Sequence, residues 1–137
     1  MKNLLIKILI SLIGIYAQEL ILVIEHYNSG NIYSITYHKP TLTGNKGEIH
    51  GLRTWFYDNQ QLKIESHYNK GNKDGLWTHW YENGQRKNEG NYINGRKEGI
   101  WTSWYRNGKI QMEVMYKYGK IISNICWDDS GNQISCK

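Results

Sequence analysis

The sequence predicts an all-β protein: an elongated, single antiparallel β-sheet of stacked hairpins. A 24-residue pattern occurs three times without a gap, over residues 51–75, 75–99 and 99–123. Each copy has a turn sequence between two short runs rich in Trp, Tyr, Thr and Ile, residues that favour strands. A period of about 20 to 50 residues is typical of arrays built from one supersecondary unit. A single hairpin cannot bury its aromatic rings, so we expect stability only from the stack.

Aromatic residues recur at fixed positions of this repeat. Neighbouring side chains of a strand point to opposite faces, so Trp77 and His79 share one face while Thr78 and Trp80 share the other. Rings on both faces favour a rolled or strongly twisted sheet, with stacking from one repeat to the next. We therefore expect a structural role for the recurring aromatic residues: Trp77, Trp80, Tyr81, Tyr92, Trp101, Trp104, Tyr105 and Tyr116.

The turns are predicted from Asn and Gly. Asn83-Gly84 and Asn107-Gly108 indicate hairpin turns whose two central residues both have positive φ, and Asn59-Gln60 is a weaker version. Each Gly-x-x-x-Gly segment, such as 71–75, is expected to turn the chain into the next hairpin.

Residues 1–17 have the features of a secretory signal peptide. Lys2 precedes a stretch over 4–16 that is apolar apart from Lys7, Ser11 and Gly14, and Ala17 is a small residue suited to cleavage. The uninterrupted apolar run from Ile8 is shorter than the ~20 residues that span a bilayer. We expect export to the periplasm or the extracellular space after cleavage behind Ala17. An uncleaved anchor and a buried strand or helix are the alternatives.

The remaining chain divides into three parts. Residues 18–46 are predicted to form an N-terminal hairpin and linker, in which 26–31 echoes 67–72. Residues 47–123 hold the three repeats. Residues 124–137 are predicted to form a degenerate capping hairpin, in which 127–132 echoes 104–109.

Charge supplies the first candidates for a binding surface. The net charge of +5 falls to +3 without residues 1–17, which is too little for a nucleic-acid partner, and no nucleic-acid motif accompanies it. Basic residues nevertheless outnumber acidic ones over 86–120, either as a patch for a partner or as solvated hairpin tips. Trp55 is a further candidate because its repeat column otherwise holds His79 and Ser103. The candidate partner-binding residues are Trp55, Arg86, Lys87, Arg96, Lys97 and Arg106.

Two cysteines, Cys126 and Cys136, flank the turn sequence 129–132. A three-residue loop would place them directly opposite each other, where they could be bridged, whereas a two-residue loop would put them on opposite faces. In an oxidising compartment a disulfide would fasten the last hairpin. Two separate thiols are the alternative.

The sequence offers little for catalysis, so we expect no catalytic residue, metal or cofactor. Glu65, Glu89 and Glu113 recur once per repeat, which favours hydrogen bonds to a turn, or pairing with nearby lysines, over acid–base chemistry. His50, His67 and His79 lie in different columns without metal-ligand spacing. No Ser/His/Asp set or phosphate loop is present.

The unit G-x-W-x-x-W-Y-x-N-G…E…Y-x-x-G over about 47–119 resembles the MORN repeat, in the variant form found in bacterial proteins. Many such proteins are grouped as YwqK-like antitoxins. The resemblance implies a non-catalytic scaffold that binds a protein partner, such as a toxin that it neutralises. The alternative is an envelope-associated protein that binds anionic lipid or glycan through its basic, aromatic surface. Oligomeric state stays open, because unprotected edge strands can pair with a second copy.

Overall fold

A computed structural model describes residues 3–9, 19–43 and 46–136. In this part of the chain, 11 strands form one antiparallel sheet whose spatial order follows the sequence. The predicted all-β class and the single sheet of stacked hairpins are confirmed. The strands are β1 (Asn3–Leu9), β2 (Glu19–His26), β3 (Ile32–Pro40), β4 (Lys46–Phe56), β5 (Leu62–Asn69), β6 (Asn72–Trp80), β7 (Arg86–Ile93), β8 (Arg96–Trp104), β9 (Ile110–Lys117), β10 (Lys120–Trp127) and β11 (Gln133–Ile134).

The predicted segment boundaries fall at different places in the sheet. Within the predicted leader, β1 pairs with β2 over seven residues, from Asn3 opposite Glu25 to Leu9 opposite Glu19. The proposed cleavage position behind Ala17 lies outside the described residues. Strands β2 and β3 form the hairpin expected within 18–46. The boundary behind Ser123 lies inside β10, so the last hairpin begins at Lys120.

Three-residue loops lie along one side of the sheet, where strands end. We call this side the long-turn edge; it is distinct from the edge strands β1 and β11. In the second repeat the Tyr81 N–H donates to Gln85 O, and the Gly84 N–H donates to Tyr81 O. Gly84 has a φ of 83°, whereas Asn83 is not among the residues with positive φ. The prediction of two positive φ values was therefore wrong here. The loop is a type I turn followed by one left-handed residue, a common three-residue hairpin connection.

This loop recurs beyond the three repeats. The same two hydrogen bonds close loops that begin at Tyr27, Tyr57, Tyr105 and Asp128. The C-terminal echo over 127–132 is thus confirmed. The N-terminal echo was wrong in its alignment, because 27–31 corresponds to 57–61 and not to 68–72.

Two-residue turns form the opposite edge, which we call the short-turn edge and define as residues 69–74, 93–98 and 117–120. Both central residues have positive φ in each turn: Lys70 and Gly71, Asn94 and Gly95, Tyr118 and Gly119. These are the primed turns that suit the twist of paired strands. The predicted Gly-x-x-x-Gly turn was wrong, because the chain reverses at Lys70 and Gly71 and β6 already runs from Asn72 through Gly75. The turns also touch one another, since the Gly95 N–H donates to Lys73 O at 2.7 Å and the Gly119 N–H to Lys97 O at 3.0 Å.

The core has two parts: Ile21, Leu22 and Val23 of β2, and a row of side chains on one face of the sheet, which we call the ring face. Large and small side chains alternate along this row, and the Trp101 indole lies over Gly90. Ser66 is 1% exposed, Trp101 7% and Val114 4%. An added Cβ on Gly90 would overlap the Trp101 indole. The row consists of Thr36, Arg53, Ser66, Trp77, Gly90, Trp101 and Val114.

The last hairpin carries a disulfide between Cys126 and Cys136, with a Cα–Cα distance of 5.3 Å. The loop has three residues, 129–131, whereas direct opposition of the two cysteines requires a loop at 130–132. Cys126 therefore pairs with Ile134, and Cys136 lies two residues farther along the chain. The expected direct opposition was wrong. A displacement of two residues keeps both cysteines on one face, so the bridge can form.

Candidate functional site

Four tyrosines connect neighbouring repeats along the long-turn edge. Each hydroxyl donates a hydrogen bond of 2.7 to 2.9 Å to the main-chain carbonyl at the matching strand end of the next repeat. Desolvation raises the pKa of Tyr27 and of Tyr57, which keeps these hydroxyls protonated as donors. The donor–acceptor pairs are Tyr27–Phe56, Tyr57–Trp80, Tyr81–Trp104 and Tyr105–Trp127. This ladder gives the recurring tyrosines a role between repeats.

An aromatic cluster covers the ring face of the second and third repeats. The Trp101 ring lies 5.5 Å from the Trp77 ring and 4.9 Å from the Tyr92 ring, measured between centroids. Tyr116 meets Trp101 edge-on at 6.3 Å. A cavity of about 250 Å³ opens between these rings and the neighbouring strands. The indole N–H of Trp101 donates to Asn91 O at 3.1 Å, so this ring is positioned by a hydrogen bond as well as by its ring contacts.

Two lysines cover this cluster. The Lys97 ammonium lies 4.1 Å from the Trp101 centroid and 4.8 Å from that of Tyr116. Lys73 is placed likewise over Tyr92, at 4.9 Å. Desolvation and the neighbouring charge of Lys97 lower the pKa of Lys73. Lys97, a candidate for partner binding, thus makes cation–π contacts within the sheet.

Trp55 and Arg53 are two departures from the repeat, and they contact each other. The Arg53 guanidinium lies 4.0 Å from the Trp55 ring centroid. In the repeat alignment Arg53 occupies the position of Trp77, and Trp55 occupies the position of His79. The tryptophan of this strand therefore stands two residues later in the first repeat than in the second. Trp55 is half-buried rather than exposed. Its off-phase position is explained by this internal contact.

The basic candidate residues divide between the two edges. Arg86 and Arg106 lie on the long-turn edge, and Lys87 follows Arg86 in β7. Arg96 and Lys97 lie on the short-turn edge, at the start of β8. The eight residues of β7 separate the two groups by roughly 23 Å. The structure therefore does not bring the five residues together as one patch.

Arg86, Lys87 and Arg106 make contacts of their own. The Arg86 Nε lies 3.5 Å from Glu89 Oε2 in an ion pair. Lys87 and Arg106 lie 5.4 and 5.3 Å from the Tyr81 ring centroid. This edge is also mixed in charge, because exposed Asp58, Glu82 and Asp129 lie among the basic residues.

The short-turn edge has a different charge balance. Within its three ranges, which the structure describes in full, the exposed charged side chains are all basic: Lys70, Arg96, Lys117 and Lys120. Its two carboxylates, on Asp74 and Glu98, are half-buried. Glu98 Oε2 accepts a 2.7 Å hydrogen bond from the Tyr118 N–H. Within these ranges the edge therefore presents a net positive surface.

Tyr118 is the residue on this edge that the sequence reasoning missed. It occupies the first turn position, where the preceding repeats have Lys70 and Asn94. Its side chain is 70% exposed, and its φ is 53°. Asn tolerates this left-handed conformation, whereas a bulky side chain rarely adopts it. An aromatic residue in a turn column was the signal that could have identified it.

Glu89, one of the three recurring glutamates, is hydrogen-bonded within the sheet. Glu89 pairs with Thr78 across the face opposite the ring face, and its Oε2 accepts a hydrogen bond of 3.3 Å from the Thr78 hydroxyl. Burial lowers the pKa of His38, His50 and His79. Among the described residues, no group of three or more His, Cys, Asp or Glu side chains could hold a metal ion.

The comparisons with known proteins agree with the hairpin architecture. The MORN repeat variant matches residues 49–70, 73–94 and 97–118, each of which covers one hairpin with its three-residue loop and ends at the first residue of the following short turn. The chain belongs to the MORN repeat variant family. It is accordingly a repeat scaffold whose three MORN repeats are continuous in one sheet. No curated protein and no solved structure matches the chain.

Proposed function

We propose that the protein is a non-catalytic MORN scaffold that binds a protein partner, with the short-turn edge as its contact surface. The charge asymmetry between the two edges carries this proposal. Exposed Lys70, Arg96, Lys117 and Lys120 face solvent without an exposed carboxylate in the same ranges. Such a surface attracts an acidic partner and steers its approach.

The resemblance to YwqK-like antitoxins suggests what the partner does. On this reading it is a toxin, and binding to the MORN sheet neutralises it. The apolar leader further suggests that the encounter takes place outside the cytoplasm, after export and removal of residues 1–17. The disulfide between Cys126 and Cys136 supports this location, since such bonds persist in oxidising compartments.

Crosslinking in the native cells tests the partner proposal. The tagged full-length chain is captured and the attached proteins are identified by mass spectrometry. We expect one enriched protein, reduced at least about tenfold by R96A because central arginines are frequent binding hot spots. R86A is the matched control, since Arg86 is an exposed arginine on the other edge. Equal capture by wild type and R96A, or enrichment of bulk envelope proteins alone, would reject the proposal.

An anionic membrane surface is the second candidate. Ile121 and Ile122 are 60% and 61% exposed and directly follow Lys120. Basic residues beside exposed apolar ones suit a membrane interface, where each basic residue contributes about 1 kcal/mol. The described residues include no helix long and apolar enough to cross a bilayer. Salt-sensitive sedimentation with phosphatidylserine vesicles would favour this candidate.

A further inference from the structure

We propose that Tyr118 is the anchor of a preformed docking site for an acidic protein segment at the last short turn. This inference rests on the proposed partner-binding function and specifies its location and ligand chemistry. The segment that fits carries an apolar side chain flanked by aspartate or glutamate.

The shape of the site favours a single inserted side chain. A groove of about 340 Å³ lies between the second and third short turns, lined by Ile93, Asn94, Arg96, Glu98 and Tyr118. Its apolar walls are exposed, since Tyr118 is 70% and Ile93 48% accessible. An apolar side chain placed between these walls would bury both. The exposed guanidinium of Arg96 at the rim can then bind a neighbouring carboxylate, which arginine does with two parallel hydrogen bonds.

Hydrogen bonds hold the backbone of Tyr118 in place. Its N–H donates to Glu98 Oε2 at 2.7 Å, and the next N–H, of Gly119, donates to Lys97 O at 3.0 Å. The left-handed φ of 53° is unfavourable for an aromatic residue. Asn94 makes the same turn with a residue type that tolerates this conformation. Strained backbone that presents a side chain to solvent is a frequent feature of binding sites.

Charge identifies the class of ligand. Arg96, Lys117 and Lys120 are exposed around the groove, and the Lys117 ammonium lies 5.7 Å from the Tyr118 ring. The nearby carboxylate of Glu98 is engaged by the Tyr118 N–H. One carboxylate against these three basic side chains leaves a net positive charge, which an acidic ligand meets. A protein segment fits better than a bilayer surface, because an extended segment can place one side chain into a concave groove.

A titration followed by nuclear magnetic resonance tests the proposal. The isotope-labelled full-length chain is titrated with a synthetic peptide in which aspartates flank one leucine. We expect amide shift changes concentrated at 93–98 and 117–120. The same peptide with serine for aspartate should bind at least about tenfold more weakly, because the charge complementarity is lost.

Three variants separate binding from folding. Y118N keeps the turn, since Asn94 shows that asparagine fits this position, and should abolish the peptide-induced shifts. R96A should weaken binding about tenfold, whereas R86A on the opposite edge should leave it unchanged. Equal effects of R96A and R86A, unchanged binding by Y118N, or shifts spread over both edges would overturn the proposal.

Two further outcomes distinguish this inference from the proposed function. If the crosslinked partner from native cells is retained by Y118N, the Tyr118 site is wrong while partner binding stands. If the chain binds phosphatidylserine vesicles but not the acidic peptide, and no partner is captured, both proposals fail. Loss of the partner in Y118N together with loss of peptide binding would support both.

Discussion

Gln60 has a φ of 66° at the loop position where the next two repeats have Gly84 and Gly108. A non-glycine residue there costs about 1–2 kcal/mol, which the greater freedom of glycine in the unfolded chain partly offsets. The Gln60 side chain also donates to Ile32 O at 3.2 Å, in an exposed position. We expect Q60G to raise the free energy of unfolding by about 0.5–1 kcal/mol in urea denaturation. The reverse change, G84Q, should lower it; stabilisation by G84Q would contradict this account.

Gly90 illustrates a different constraint on a glycine. Its φ is not positive, and the restriction comes from the Trp101 indole that lies directly over it. An added methyl group would force this ring out of contact with Trp77 and Tyr92. We expect G90A to lower the free energy of unfolding by about 2–3 kcal/mol, measured by chemical denaturation. S66A, in the same column, should change it by less than about 1 kcal/mol, because it adds no volume. Similar effects of the two variants would contradict this packing.

At the element scale, the tyrosine ladder couples each hairpin to the next along the long-turn edge. Y81F removes the 2.8 Å hydrogen bond to Trp104 O between the second and third repeats. We expect a loss of about 1 kcal/mol in the free energy of unfolding, typical of one hydrogen bond. Y92F is the control, because it also removes a tyrosine hydroxyl, but one outside the ladder, and it keeps the ring that contacts Trp101. The ladder would lose its assigned role if Y81F were as stable as the wild type.

The last hairpin depends on its disulfide more than the central strands do. Strand β11 pairs with β10 through two residue pairs only, Cys126 with Ile134 and Trp127 with Gln133. Reduction should therefore open this hairpin locally, because terminal elements with few contacts have the lowest local stability. In hydrogen exchange we expect faster exchange at 126–134 after reduction and unchanged protection in β6 to β8. Uniform loss of protection would show that the bond stabilises the whole sheet.

At the scale of the whole molecule, buried histidines link stability to pH. Desolvation lowers the pKa of His38, His50 and His79 below the ordinary value of 6.5, so the folded state favours their neutral forms. The unfolded chain binds more protons as the pH falls through that value. Stability is therefore fully present above about pH 6.5 and declines below it. The charges of Lys63 and Lys87 further disfavour protonation of His79.

We expect the melting temperature to fall between pH 7.5 and pH 5.5, when followed by circular dichroism. H38Q and H79Q should each reduce this dependence, because they remove a group that titrates in this window. Ordinary carboxylates titrate lower, near pH 4, and contribute less there. A melting temperature that rises on acidification would contradict the assigned pKa directions.

The repeat pattern could be predicted well because it is local and recurs. The 24-residue period, the all-β class and the sharing of a face by Trp77 and His79 all follow from strand alternation. The turns were harder, since Asn-Gly occurs in both kinds. At Asn94-Gly95 both residues have positive φ, whereas at Asn83-Gly84 only the glycine does. The number of residues between the paired strands decides the turn, and this number depends on register.

The candidate surface shows the same limit. Arg86 and Arg96 are ten positions apart in the sequence and look like one basic segment. Strand β7 carries the chain from one edge of the sheet to the other between them, which separates the two side chains by roughly the length of the strand. The sequence suggested Trp55 as an exposed contact residue, whereas in the structure its ring packs against Arg53. Tyr118 shares a repeat position with Lys70 and Asn94, and the strand pairing shows that this position lies in a turn.

The sequence by itself determined the repeat, the strand-forming segments and the residues that alternate between faces, because these depend on neighbours a few positions apart. The tertiary structure decided which ends of the strands lie together, which rings the lysines cover and which charges stay exposed. Those properties depend on pairing register and on contacts between repeats more than 20 residues apart, such as Tyr81 to Trp104. Folding of the chain into one sheet thereby brings Arg96, Lys117 and Tyr118 together on the short-turn edge.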